Sequence, residues 1–243
     1  MTKSPRLFNL APLLAALALP LCLGAAQAEL STNLGLVSDY RYRGISQSRL
    51  KPALQGGVDF SQGGLYLGAW ASTIQWIKDA GGDAAVEVDL YGGYKGELAK
   101  DLGYDLGLLH YQYPGNKLNP SANTTEVYGV LTFGPATLKY SHALSNTFGA
   151  PDSKNSQYID LSAAFELGGI TLTPHIGHQK IKGPAGAAAS YTDYSLTVAK
   201  DLEGVTLSAA LVGTDADKAF YASPANGKFL GRTGVVLGVK AAF

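Results

Sequence analysis

Residues 30–44 have the sequence LSTNLGLVSDYRYRG, in which apolar and polar side chains alternate with a period of two. This period is typical of a β-strand, because successive side chains of a strand point to opposite faces. The apolar face carries Leu30, Leu34, Leu36, Tyr40 and Tyr42. The polar face carries Ser31, Asn33, Asp39, Arg41 and Arg43. Alternation alone fits either a soluble sandwich with the apolar face inward or a membrane barrel with that face outward.

Similar alternation continues to the end of the chain and predicts twelve strands. We expect them at residues 30–44, 53–60, 65–74, 85–94, 102–113, 124–133, 136–144, 157–166, 170–179, 191–199, 205–214 and 232–243. Short connections follow most even-numbered strands, and longer connections join the others. An even strand number with this difference in length is typical of bacterial outer-membrane barrels. We therefore predict an all-β fold, a 12-stranded antiparallel transmembrane β-barrel over residues 29–243, in the bacterial outer membrane.

Aromatic residues at the predicted strand ends favour the barrel over the sandwich. Five even-numbered strands end in an aromatic residue on the apolar face, namely Phe60, Tyr94, Phe133, Phe165 and Phe243. Tyr40 and Tyr42 lie beyond Leu30 by about the ~9–11 residues that a tilted strand needs to cross a bilayer. We expect these seven aromatic residues to form the membrane girdle against the outer-membrane lipids. Phe243 also ends the chain, where we expect the barrel-assembly machinery to bind.

The first 28 residues have the features of a secretory signal peptide. Lys3 and Arg6 precede an apolar run over residues 7–23, and Ala26-Gln27-Ala28 supplies small residues for cleavage. The one cysteine of the sequence, Cys22, lies inside this segment. The mature chain is therefore expected to lack disulfides, thiol catalysis and cysteine-bound metals.

The composition excludes further classes of protein. Nineteen basic and nineteen acidic residues cancel, which argues against nucleic acid as a partner. Thirty glycines and fourteen tyrosines indicate many tight turns and much aromatic surface.

Three stretches of the chain resemble one known family. They are SDYRYRGISQS at 38–48, VEVDLYGGY at 86–94 and YQYPG at 111–115, and they are similar to the TorF-type family of proteobacterial porins. The resemblance covers essentially the whole mature chain. It implies an exported outer-membrane barrel with a porin role, and it carries over no catalytic residue and no established substrate.

The polar faces of the predicted strands would line the barrel lumen. Candidate lumen-lining and selectivity residues are Asp39, Arg41, Arg43, Glu87, Asp89, Asp105, Glu126, Lys139, Asp160, Asp193, Arg232 and Lys240. Because both signs of charge occur, the interior could be a narrow channel for passive diffusion of small hydrophilic solutes. It could equally be a closed network of ion pairs, and the barrel would then have a structural, adhesive or sensing role.

The histidines do not form a recognisable catalytic or metal site. Ser141 and His142 are adjacent in one predicted strand and so point to opposite faces, which argues against a pair for lipid hydrolysis. His175 and His178 also face opposite ways. We therefore predict that the protein is not an enzyme and uses no cofactor or metal.

Overall fold

The computed structural model describes residues 28–243, so the predicted signal peptide lies outside the described residues except for Ala28. The strands are β1 (Glu29–Val37), β2 (Arg41–Tyr42), β3 (Ile45–Ser46), β4 (Ala53–Gln62), β5 (Leu65–Thr73), β6 (Val86–Ala99), β7 (Leu102–Gln112), β8 (Thr124–Phe133), β9 (Ala136–Ala143), β10 (Gln157–Ala163), β11 (Phe165–Leu167), β12 (Ile170–Lys180), β13 (Tyr191–Leu202), β14 (Val205–Thr214) and β15 (Gly234–Ala242). Two short helices, α1 (Trp76–Asp79) and α2 (Gly186–Ala189), lie in loops. No helix in this part of the chain is long and apolar enough to span a membrane.

The strands close into a ring. β1 pairs with β4 on one side and with β15 on the other, and β10 pairs with both β9 and β12. β10 and β11 form one wall strand, since both pair with β12 in a continuous register. Residues 28–243 therefore form a closed barrel of twelve antiparallel wall strands, which confirms the predicted fold.

The connections differ between the two ends of the barrel. At one end, here called the turn end, pairs of wall strands are joined by two residues, at 63–64, 100–101, 134–135, 168–169 and 203–204. Gly63 and Gly64 both adopt positive φ, as a tight hairpin turn requires. The opposite end, here called the loop end, carries the connections 38–52, 74–85, 113–123, 144–156, 181–190 and 215–233. In outer-membrane barrels the short turns face the periplasm and the longer loops face outward.

The outer surface of the barrel is apolar. Alternate wall residues point outward and remain exposed, among them Leu30 at 69% and Phe133 at 65%. A continuous apolar belt of this kind is stable against lipid and unstable in water. Five of the predicted girdle residues are exposed at the turn end, namely Phe60, Tyr94, Phe133, Phe165 and Phe243. The protein is an outer-membrane β-barrel.

The first wall strand is shorter than predicted. β1 ends at Val37, and the chain then turns into the barrel instead of continuing along the wall to residue 44. Ser38 closes the strand by exchanging hydrogen bonds with the backbone of Leu237. Tyr40 and Tyr42 therefore lie inside the barrel and not on its outer girdle, and Tyr40 is only 1% exposed. Their predicted position was wrong because tertiary hydrogen bonds redirect the chain at Ser38.

Pro174 lies within a wall strand. It pairs with Leu196 of β13, where the ladder is continuous. On its other side, the pairing with β12 stops at Ser162–His175 and resumes at Phe165–Leu172, which leaves Ala163, opposite Pro174, unpaired with it. Proline has no N–H to donate, so the interruption opposite Pro174 follows from its chemistry.

Candidate functional site in the barrel interior

Residues 38–52, here called the inward loop, fill the loop-end half of the interior. β2 and β3 form a small hairpin inside the barrel, separate from the wall. Ser46 and Ser48 of this loop are almost completely buried. The inward loop therefore separates the lumen from the space beyond the loop end.

Arg43 joins the inward loop to three wall strands. Its guanidinium donates to both carboxylate oxygens of Glu126 on β8, at 3.1 and 2.7 Å, and also to Gln179 on β12. The same group lies 4.2 Å from the ring centre of Tyr158 on β10. A bidentate arginine–carboxylate pair combines charge with fixed geometry. Arg43 is thus a cross-lumen anchor of the loop.

Arg41 holds the inward loop to the last loop of the barrel. Its Nε lies 2.5 Å from Asp39, and its Nη1 donates to the backbone carbonyls of Gly44, Leu230 and Arg232. These contacts satisfy the charged groups inside the loop structure itself. Asp39 and Arg41 therefore order the inward loop and do not stand on the barrel wall.

Two tyrosines connect the inward loop to β6 and β7 of the wall. The Tyr40 hydroxyl donates to Glu87 on β6 at 2.7 Å. The Tyr42 and Tyr111 hydroxyls share a hydrogen bond of 2.6 Å, which joins the loop to β7. Together with Arg43, these contacts fix the loop to walls on both sides of the lumen.

Asp89 is a buried acid without a partner. It lies two residues from Glu87 on the inner face of β6, and neither side chain is accessible to solvent. Within residues 28–243, neither oxygen of the Asp89 carboxylate has a hydrogen-bond partner. Burying a carboxylate without hydrogen bonds is costly. The loop-end half is therefore not an optimised core.

The turn-end half of the interior is a polar space with partial solvent access, here called the vestibule. Tyr91 donates to Asp59 at 2.5 Å, and Tyr66 donates to Asp105 at 2.6 Å. The Lys139 ammonium lies 4.6 Å from the ring centre of Tyr128. The inward side chains Asp59, Tyr66, Tyr91, Lys95, Lys139 and Lys240 are all partly exposed. Acids, lysines and phenols therefore alternate around an accessible wall.

A histidine between two acids lies on the β10–β13 side of the interior. His175 Nε2 is 3.2 Å from Asp160, and its Nδ1 is 3.7 Å from Asp193. Tyr158 donates to Asp193 at 3.0 Å. Both acids are among the predicted lumen residues, whereas the lumen position of His175 was not predicted. The alternation of the two strands could have identified it, because His175 on β12 faces inward like Asp193 on the neighbouring β13.

Several inner glycines are required by tyrosine rings, a second feature that the sequence analysis missed. Gly68 pairs directly with Tyr91, and Gly107 pairs with Tyr128. A Cβ atom at either glycine would overlap the ring of its cross-strand tyrosine. The rings therefore lie flat against the wall, which accounts for part of the high glycine and tyrosine content.

The twelve predicted lumen residues lie in three parts of the structure. Eight lie on the inner wall, namely Glu87, Asp89, Asp105, Glu126, Lys139, Asp160, Asp193 and Lys240. Asp39, Arg41 and Arg43 belong to the inward loop, and Arg232 is exposed in the loop before β15. Between Ala28 and Phe243, no group of three or more histidine, cysteine or acidic residues is arranged to hold a metal.

Comparison with protein families identifies a match over nearly the entire chain. Residues 23–243 match the family described as bacterial protein of unknown function (Gcw_chp). No curated protein sequence matches the chain.

Solved structures of membrane proteins are similar to this fold, and two of them are described here. The NanC porin is 11% identical, with a TM-score of 0.53 over 88% of this chain and 99% of that one. A protein from a study of in-meso crystallisation of membrane proteins is 6% identical, with a TM-score of 0.50 over 88% of this chain and 83% of that one. At such low sequence identities, the similarity shows only that the fold is shared.

Proposed function

Since the chain belongs to the Gcw_chp family, whose description assigns no activity, we propose from its interior that it is an outer-membrane channel for passive diffusion of small hydrophilic solutes. In this proposal the inward loop closes the channel at the loop end, and solute passes when the loop moves. The vestibule is the part of the pathway that stays accessible from the periplasm. The three stretches that resemble TorF-type porins support the same proposal.

The observation that carries the proposal is that hydrogen bonds cross the lumen between the inward loop and the wall. Arg43 reaches Glu126 and Gln179, and Tyr42 reaches Tyr111, all through hydrogen bonds. Water can replace these hydrogen bonds at modest net cost, whereas the ring contacts of Tyr40 with Trp70 and of Tyr42 with Phe148 stabilise the closed state, so that openings are rare. A loop held in this way is suited to reversible displacement. The unpartnered carboxylate of Asp89 adds a cost to the closed state, which hydration would relieve.

The second candidate is a closed barrel with a structural, adhesive or sensing role. The pair between Arg43 and Glu126 favours it, since a buried and well-bonded ion pair can hold a lumen rigid. We propose no catalytic role for either candidate. Phe243, exposed at the turn end, remains our proposed contact for the barrel-assembly machinery.

Single-channel recording in planar bilayers tests the proposal. We would compare the native barrel with a variant in which residues 39–51 are replaced by two glycines. We expect rare openings from the native protein and continuous, larger currents from the variant. The matched control shortens residues 183–188 of the loop before β13 in the same way and should behave like the native protein. Folded barrels that conduct in none of these forms would favour the closed-barrel candidate.

A further inference from the structure

The outer surface of the barrel carries a cluster of basic residues at the loop end of neighbouring wall strands. His142 of β9 pairs with Gln157 of β10, which pairs in turn with Lys180 of β12. All three side chains point outward, as does His178. The outer basic patch is defined here as His142, Lys154, His178, Lys180 and Lys182.

The outer basic patch lies directly above the apolar belt. Along the same strands, the next outward layer toward the turn end contains Tyr140 and Ile159 beside His178. The layer after that is fully apolar, with Leu138, Leu161 and Ile176. The change from leucine through tyrosine to lysine follows the change from acyl chains to head groups in a bilayer. The patch is therefore at the level of the head groups of the outer leaflet.

Two loops add lysines to this cluster. Lys154 lies in the connection 144–156 and Lys182 in the connection 181–190, and both are exposed. These loops are in contact, since the backbone N–H of Lys182 donates to Ser156 at 2.9 Å. Both lysines therefore project from adjoining loops beside Lys180.

The positive charge of the patch is not neutralised by the protein. Among the described residues, no ion pair involves Lys154, Lys180 or Lys182, and Asp152 is the nearby exposed acid of the same loops. On another part of the loop end the cations are paired, as in Lys117 with Asp83 at 2.9 Å. Unpaired cations beside an apolar surface favour an anionic and amphipathic partner.

We propose that the outer basic patch binds one phosphate-bearing lipid of the outer leaflet. Its acyl chains would lie along the outward leucines and isoleucines of β9, β10 and β12. Its phosphate would accept hydrogen bonds from Lys180 and from the loop lysines, with His142 and His178 beside it. The proposal concerns the outside of the barrel and does not depend on whether the lumen conducts.

Native mass spectrometry of the detergent-purified barrel tests this site. The probes are a bisphosphorylated lipid A and the same lipid with both phosphates removed. The test variant is K154Q/K180Q/K182Q, and the matched control is K51Q/K218Q/K228Q, which removes the same charge from exposed lysines in other loops. Because lysines near an anionic surface attract it, we expect the test variant to bind phosphorylated lipid at least tenfold more weakly than the native protein.

The control variant should bind like the native protein, and the dephosphorylated lipid should bind weakly to all three. The proposal is overturned if the test variant retains native affinity, if the control loses as much as the test variant, or if removing the phosphates makes no difference. A heat-modifiability gel, in which a folded barrel migrates faster, confirms that each variant is folded before the titration.

Discussion

The two halves of the barrel interior have the same kind of wall and opposite accessibility. At the loop end, Glu87 and Glu126 are buried to 1% and 3% exposure. At the turn end, Asp59 and Lys139 point into the same lumen and stay partly exposed. Both halves are built from polar residues at alternate strand positions. The difference comes from the inward loop, which occupies one half and not the other, together with side chains from neighbouring loops such as Ile77 and Tyr113.

The barrel wall and the closure of its lumen therefore depend on different contacts. The wall is specified by local alternation and is complete without the inward loop, because every wall strand has two wall neighbours. Closure depends on long-range contacts of the inward loop, both polar, as between Arg43 and Glu126, and aromatic, as between Tyr40 and Trp70. Changes at those contacts should therefore alter how often the channel opens, whereas changes in the vestibule should alter only the ion selectivity of the channel.

The largest effect is expected from Arg43→Ala. Removal of the guanidinium leaves Glu126 buried without its cation, and breaking such a pair typically costs about 3–5 kcal/mol. We expect the free energy of unfolding to fall by this order in urea titrations into lipid vesicles. Channel openings should become more frequent, since the loop loses its contacts with β8, β10 and β12. The double variant R43A/E126A should recover part of the stability and keep the higher open probability. Unchanged stability and openings in Arg43→Ala would show that Arg43 does not hold the loop.

A smaller loss is expected from Gly107→Ala on β7. The new methyl group would overlap the Tyr128 ring, and overpacking of this kind costs about 1–3 kcal/mol. Gly103→Ala is the matched control on the same strand, because the nearest atom to its Cβ would be 3.7 Å away. Urea titration of both variants checks the prediction. Equal stability of the two variants would mean that the ring of Tyr128 moves aside freely.

Asp89→Asn should stabilise the protein, in contrast to the two preceding substitutions. An unpartnered carboxylate in the loop-end half costs more to bury than a neutral amide of the same shape. We expect a gain of about 1 kcal/mol in the free energy of unfolding, together with fewer channel openings, because the closed state becomes less costly. A loss of stability in Asp89→Asn would indicate that the carboxylate has a stabilising partner.

The wall could be predicted from the sequence because its determinants are local. The two-residue alternation places nine of the twelve predicted strands within about two residues of their observed bounds. Phe133 and Phe165 point outward at the turn end, as the two-residue alternation predicts. Even Pro174, a residue unfavourable in a strand, only interrupts the ladder beside it.

The inward loop could not be predicted from the same signal. Asp39, Arg41 and Arg43 continue the alternation of β1, so the pattern alone extends the strand past Val37. What ends the strand is a set of partners distant in sequence, such as Leu230 for Arg41 and Glu126 for Arg43. Contacts with residues that are distant in sequence override the local preference of these residues for a strand. The tyrosine–glycine pairs were missed for a similar reason, since they require the register between strands.

The smallest effect on stability is expected from Lys240→Gln in the vestibule. Lys240 is on β15, partly exposed, and forms no ion pair among residues 28–243. Its removal should change the free energy of unfolding by no more than about 0.5 kcal/mol. In the background with residues 39–51 replaced, the reversal potential under a salt gradient should shift toward cation selectivity, because a positive charge leaves the accessible wall. The outward residue Val239 supplies the control, as Val239→Leu changes the lipid-facing surface and should leave selectivity unchanged. If Lys240→Gln left the reversal potential unchanged in that open background, the vestibule would not be part of the conduction pathway.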